Sequence, residues 1–238
     1  MSSTTWTPRA VASDSAQCRI ELWRAVEAQH VASTMRLVDS LAEQAALEAI
    51  LEDTKPGGPA DTARLHYLLA TPFRYPAPAR GSRFRAPTDP GVFYGAEERR
   101  TACAELGYWR WRFVQDSAGL DELGPVAHTL FRVKVQARAV DLRKRPFARD
   151  AAAWTDPADY GATQAFAAAA REAGTDLIRY RSVRDPQAGG CGALLSPGAF
   201  AAPRRPAGEQ TWFLTVSRAL SAWRREAESF EFRWGPAR

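Results

Sequence analysis

The chain has little of what marks an exported or membrane-bound protein. Its three cysteines, Cys18, Cys103 and Cys191, are odd in number and scattered over 238 residues. Neither a disulfide framework nor a zinc-ligand spacing can be drawn from them, and a reduced, cytoplasmic setting is expected. No apolar run of the kind that heads a secretory signal appears near the start. No stretch approaches the roughly 18 apolar residues of a membrane span, so no membrane partner is expected. Lysine is scarce, with three against 29 arginines, and the 27 acidic residues are interspersed among them, leaving a formal net charge of +5. Without a Lys/Arg block, direct nucleic-acid binding is not expected. His30, His66 and His128 stand isolated, as packed structural histidines usually do, and with no ligand cluster no metal is expected. Glycine-rich nucleotide fingerprints are missing too: there is no GxGxxG after a strand and no Walker motif.

What is present is a chain that is 45% hydrophobic and 25% charged, ordinary for a globular protein able to bury a core. Residues 1–17 read as a frayed, flexible polar tail. A strand is expected over 20–26, and a helix over 34–51, closed by the Lys55-Pro56-Gly57-Gly58-Pro59 run. The stretch 72–90, dense in proline, arginine and aromatics, reads as turns and short extended pieces. A strand at 92–94 ends at Gly95. A helix then covers 97–115, with Ala102, Leu106, Trp109 and Phe113 as its apolar stripe. Alternation over 131–139 predicts a strand with one wet face. A helix at 158–173, strands at 176–180 and 189–195, and strands on Trp212, Leu214, Val216 and on Phe230, Phe232, Trp234 follow. A helix at 218–228 is expected between the last two. Many short strands with few helices and no βαβ alternation predict an α+β fold, with central antiparallel or mixed strands and peripheral helices, built as one domain over 18–238.

The chemistry concentrates in Gly81-Ser82-Arg83-Phe84, the turn Pro87 to Pro90, the run Gly91-Val92-Phe93-Tyr94-Gly95-Ala96 and the helix through Glu105. Arg83, Tyr94 and Glu105 are spaced by 11 and 11 residues. Glu105 flanks the expected apolar stripe, and its neighbours at i±3 and i±4, Thr101, Ala102, Tyr108 and Trp109, include no base. An intrahelical ion pair is therefore out of reach. Its partner is either a tertiary arginine or a ligand. Arg83 reads equally as a surface turn arginine or as an anion contact, and Tyr94 alone reads as a packed tyrosine.

The run GSRFRAPTDPGVFYGAEERRTACAE resembles the signature of the RES-domain family. Further matches lie at Leu22-Trp23-Arg24, Glu27-Ala28-Gln29-His30, His66-Tyr67-Leu68-Leu69, Pro72-Phe73-Arg74-Tyr75, Thr163-Gln164 and Arg179-Tyr180-Arg181-Ser182-Val183-Arg184-Asp185-Pro186. The resemblance spans about residues 20–216, and within that domain the helical segment of about 34–55 reads as an insertion. It implies a fold like that of the ADP-ribosyltransferase toxins, a reaction that degrades NAD⁺, and a toxin partnered by an Xre-type antitoxin that carries any DNA contact. Self-association stays open. Carried over by motif, Arg83, Tyr94 and Glu105 are the site positions. Arg24 takes the place of the family's first arginine, with Arg74 as rival. Ser182 is the serine, although some members place one where this chain has Gly161. Phe84 stands where tryptophan is common.

The resemblance assigns roles. Breaking the ribosyl–nicotinamide bond builds an oxocarbenium-like ribose, which Glu105 would stabilise. Arg24 and Arg83, or Arg74 in place of Arg24, would clamp the diphosphate, or one of them an incoming phosphate. Tyr94 would stack on the nicotinamide or ribose, and Ser182 would hydrogen-bond the ribose or nucleophile. NAD is thus a substrate and inorganic phosphate a candidate co-substrate. Phosphate, water or a protein side chain all remain open as acceptor, beside a catalytically silent binding module.

Overall fold

The computed structural model describes residues 6–28, 40, 42–43, 46–47, 50 and 57–235. The helix expected over 34–51 lies mostly outside the described residues. The expected α+β architecture is observed. Eight strands, β1 (Ala16–Glu27), β2 (Phe93–Ala96), β3 (Glu122–Asp141), β4 (Leu177–Arg181), β5 (Gly190–Leu194), β6 (Ala207–Ser217), β7 (Ser221–Arg225) and β8 (Glu228–Phe232), form one mixed sheet in the order β1-β2-β5-β4-β3-β6-β7-β8. β1 also pairs with β3, so the first five strands of that order close into a ring. From β3 the meander β6–β7–β8 runs outward. Among the described residues only β3 and β4 pair in parallel.

β3 is the spine. Its 20 residues meet β1 along the register Ala16↔Ala139 to Glu27↔His128, β6 along its first half and β4 at its end. The alternation read from the sequence holds: Phe131, Val133, Val135, Ala137 and Ala139 are buried, while Arg132, Lys134 and Gln136 are exposed. That period fixes which face meets the core, because a one-residue slip would expose all five.

From Trp6 onward the polar start of the chain packs against the rest of the molecule instead of fraying. α1 (Pro8–Ser13) is capped by Thr7, whose side chain accepts from the Ala10 amide, and it has Pro at its first turn. Val11 is fully buried, Trp6 Nε1 donates to Asp150 at 2.8 Å, and Arg138 binds the Ala12 carbonyl at 2.7 Å. One apolar anchor and long-range bonds outweigh the polar composition. Proline did not exclude helix at the start of the 72–90 stretch either. α2 (Tyr67–Arg74) contains Pro72 and buries Leu69 and Phe73, four residues apart on one face.

α3 (Arg99–Asp116) is present; of its expected stripe Ala102 is buried and Leu106 packs against the core, but Trp109 and Phe113 do not. Cys103, Ala104, Gly107, Trp111 and Val114 face the sheet, whereas Trp109 and Phe113 are 55% and 53% exposed. The small residues allow close approach: a Cβ on Gly107 would lie 2.7 Å from Ser221 Oγ. The helix expected at 218–228 is instead a turn and β7. Ser221 and Trp223 alternate into the core, with Trp223 paired between Leu214 and Phe230. Burial of those two residues with period two prevails over the helix-favouring composition of the segment. α4 (Gly161–Glu172) buries Phe166, Ala167 and Ala170.

Three apolar clusters result. Under α3 lie Trp111, Trp212, Leu214, Trp223 and Phe232. Leu22, Phe93, Phe131, Leu177 and Phe200 form a second. The third, under α4, holds Phe84, Phe147, Trp154, Phe166, Tyr180 and Cys191, with Tyr94 packed against it, and carries the chemistry.

Candidate functional site

The turn bearing Arg83 is held on all sides. Gly81 has φ +66, and a Cβ there would lie 2.1 Å from the Arg85 carbonyl oxygen, so only glycine fits. Ser82 and Arg85 bridge across the turn. From α4, Gln164 Nε2 donates to the carbonyls of Arg80, Ser82 and Arg85 at 3.1–3.3 Å. Arg171 on the same helix donates to the Phe84 carbonyl and pairs with Asp89 at 3.0 Å. Tyr94, from β2, closes the front. Its hydroxyl bonds to Ser82 Oγ at 2.8 Å and accepts from the Phe84 amide at 3.0 Å. Burial raises its pKa.

Glu105 lies on α3, two residues before Gly107, the glycine that lets the helix touch the sheet. Ser182 Oγ donates to its Oε1 at 2.5 Å, and Cys191 Sγ sits 3.9 Å from the same oxygen. Ser182 follows directly after β4 and is 3% exposed. Its hydroxyl oxygen also accepts from the amides of Asp185 at 2.9 Å and Arg184 at 3.2 Å. With two amides occupying its lone pairs, the hydroxyl proton is directed at the carboxylate. Burial raises the pKa of Glu105, opposed by the Ser182 bond and by the fields of Arg184 and Arg83. The loop is anchored to α3 by Asp185, which binds Arg100 and accepts from Thr101 Oγ1 at 2.8 Å. A Cβ on Gly189 would lie 2.1 Å from Thr101 Oγ1, so the loop needs glycine there to approach the helix.

Arg83 is 8% exposed. It donates to the Trp154 carbonyl at 3.0 Å and lies 4.7 Å over the Tyr160 ring. Arg83, Tyr94, Glu105 and Ser182 thus share one neighbourhood. Arg24 faces elsewhere. It stacks 4.7 Å over Phe93, whose side chain points to the opposite face of β2 from Tyr94, and its NH1 donates to the Tyr94 carbonyl at 2.7 Å. Its Nε is buried without a partner, and burial lowers its pKa to about 10. Arg74 ends α2, where a Cβ on Gly58 would lie 3.8 Å from its Nε.

The neighbourhood also includes residues not singled out from the sequence. Arg184 binds the Pro157 carbonyl at 2.6 Å and the Tyr160 hydroxyl at 3.2 Å, over the Tyr108 ring at 4.0 Å. Tyr160 lies between Arg83 and Arg184. The signal for Arg184 stood in the sequence, two residues after Ser182. Nothing local marked Tyr160. Among the described residues no group of three or more His, Cys, Asp or Glu is arranged to hold a metal ion. Cavities of about 410 and 140 Å³ lie elsewhere, on Gln17, Cys18, Arg19 and Gln136 and around His128, so convergent chemistry rather than cavity size marks this site. Among the described residues no helix is long and apolar enough to cross a membrane.

The closed five-strand ring, the meander and the arginine–glutamate–serine cluster define an α+β protein of one recognisable class. In fold it is similar to a chain of the M. tuberculosis MbcT–MbcA toxin–antitoxin complex, with a TM-score of 0.51, 13% identity, and coverage of 87% of this chain and 91% of that one. No curated protein matches it in sequence. The RES domain model matches residues 59–216, about two thirds of the chain, and the protein belongs to the RES-domain family. Arg83, Tyr94, Glu105 and Ser182 all fall inside the matched span, and Arg24 falls outside it.

Proposed function

We propose that this chain is an NAD-consuming enzyme that breaks the ribosyl–nicotinamide bond, and that it acts as the toxin of a toxin–antitoxin pair. The observation that carries the reading is the half-buried Glu105 carboxylate, oriented by Ser182 and within the field of two arginines. The C–N bond would break with its electron pair leaving on nicotinamide, which becomes neutral. The ribose would develop oxocarbenium character, for which Glu105 supplies the opposing charge. An acceptor oxygen would then bond to the ribose carbon and release a proton. Tyr94, fixed by Ser82 and Phe84, would limit the pose of the ribose end. Ser182 would be a positioning residue that aims the Glu105 carboxylate. No step requires a metal.

Phosphate or water is the favoured acceptor, by family membership. The antitoxin partner is proposed from the fold's likeness to a chain of a toxin–antitoxin complex, and its Xre type from the family resemblance. The test is incubation of the purified protein with NAD⁺, with and without inorganic phosphate, followed by chromatography. Nicotinamide with ADP-ribose in both reactions identifies a hydrolase. ADP-ribose-1″-phosphate formed only with phosphate identifies a phosphorylase. An unchanged NAD⁺ pool would contradict the proposal of free-NAD⁺ consumption and turn attention to ADP-ribosylation of a protein or to a silent binding module.

A further inference from the structure

Several half-buried arginines in this chain, with side chains 19–23% exposed, find a carboxylate. Arg143 and Arg179 share Glu97 and Asp141, Arg100 reaches Asp185, and Arg171 reaches Asp89. Arg83 and Arg184 do not. They are 8% and 7% exposed, and among the described residues neither forms an ion pair. Arg83 uses NH1 on the Trp154 carbonyl, and Arg184 uses NH2 on the Pro157 carbonyl and the Tyr160 hydroxyl. Among the described residues their other guanidinium nitrogens have no acceptor, and they are not sealed from solvent.

Tyr160 joins the two side chains. Its ring lies 4.7 Å beneath Arg83 and its hydroxyl accepts from Arg184 at 3.2 Å. Behind Arg184 stand Tyr108 at 4.0 Å and Trp109 at 5.4 Å. Two buried cations around one tyrosine are costly unless an anion offsets them. Glu105 makes its short bond to Ser182, and Asp156, a second carboxylate in the field of Arg83, accepts from the Ala158 and Asp159 amides and lies at the surface. Planar guanidinium forks with free donors are suited to the tetrahedral oxygens of a phosphate group.

We propose that Arg184 is the second guanidinium of a phosphate-oxyanion subsite, facing Arg83 across Tyr160, and that this pair holds the phosphate group that enters beside Glu105. The assignment rests on the NAD-consuming reading for the source of that group: either the diphosphate of the dinucleotide or free phosphate as acceptor. Arg24, committed to Phe93 and the Tyr94 carbonyl, is then a brace for β2.

Direct binding tests this without turnover. Wild type, Arg184→Met, Arg184→Lys and, as a charge-matched control at a half-exposed position on α3, Arg112→Met are titrated by calorimetry with ADP and, separately, with inorganic phosphate. Wild type is expected to bind at least one of them. Arg184→Met is expected to weaken that binding at least tenfold, Arg184→Lys by a smaller factor, and Arg112→Met less than twofold. Should Arg184→Met not fold, Arg184→Lys decides. Loss confined to ADP places the dinucleotide's diphosphate in the subsite, and loss confined to phosphate places the acceptor there. No binding of either ligand by wild type overturns the proposal, as does wild-type affinity in the folded Arg184 variants. If the expected losses appear while NAD⁺ is not consumed, the functional reading fails and the subsite stands.

Discussion

At the scale of single residues, the site is an acid kept against its preference. Glu105 has a pKa raised by burial, so the folded chain binds its proton more tightly than the unfolded chain does. The linkage follows directly. Below the ordinary glutamate range both states are protonated and nothing is lost. As pH rises from there through the raised value, ionising the carboxylate erodes stability. Glu105→Gln is therefore expected to match wild type in melting temperature near pH 4 and to exceed it near pH 8, which calorimetric scans at both pH values check. Activity moves the opposite way. If the ionised form does the work, turnover rises with pH through a midpoint above the ordinary glutamate value. Ser182→Ala removes the donor that aims the carboxylate. A loss of about 100-fold in kcat, with a smaller change in KM, is expected from misplacement of a reacting group. The conservative Ser182→Thr, if it fits, should restore part of it.

At the scale of elements, the Arg83 turn and the Ser182 loop are backbone devices. Gly81→Ala places a methyl against the Arg85 carbonyl at a positive φ. It is expected to destabilise by more than about 1 kcal/mol and to lower the melting temperature by several degrees, with loss of activity while the fold persists. How much of this was legible differs by element. The Arg83–Tyr94–Glu105 spacing could be read because turn, strand and helix follow one another without interruption in the chain. β3 could be read because its outer face is solvated and the alternation is clean. β7 could not, since Trp223-Arg224-Arg225-Glu226-Ala227-Glu228 has a helix-like composition and only pairing with β6 and β8 makes it a strand. Half of the α3 stripe was misplaced because its buried face uses Ala104 and Gly107, small residues that carry little hydrophobic signal, while Trp109 and Phe113 stay exposed. Tyr160 and Arg184 meet across 24 residues of sequence, a contact that no local pattern encodes. The ordering of α1 was hidden for the same reason, being set by Trp6 with Asp150 and by Ala12 with Arg138.

At the scale of the whole molecule, three clusters share the load, and the aromatic one under α3 is the most deeply buried. Trp223 is fully buried beneath that helix, and Trp223→Ala is expected to cost about 3–5 kcal/mol, measurable as a shift in denaturant midpoint. Beside it His128 is 1% exposed, bonded through Nδ1 to the Val126 carbonyl at 2.9 Å, with Nε2 buried and unpartnered. Burial lowers its pKa from 6.5. The folded state thus refuses a proton that the unfolded state accepts, so this contribution is intact above pH 6.5 and declines as pH falls from there toward the depressed folded value. Comparing melting temperatures at pH 7.5 and 5.5 should show a smaller acid-side loss in His128→Gln than in wild type.

The account turns on Glu105 as the carboxylate that confronts the ribose. The most direct measurement is nicotinamide release from NAD⁺ by wild type and Glu105→Gln at equal concentration, with circular dichroism confirming that both are folded. Release by wild type and a loss of at least about 100-fold in the variant are predicted. Equal release by the two, or none by wild type, would contradict it.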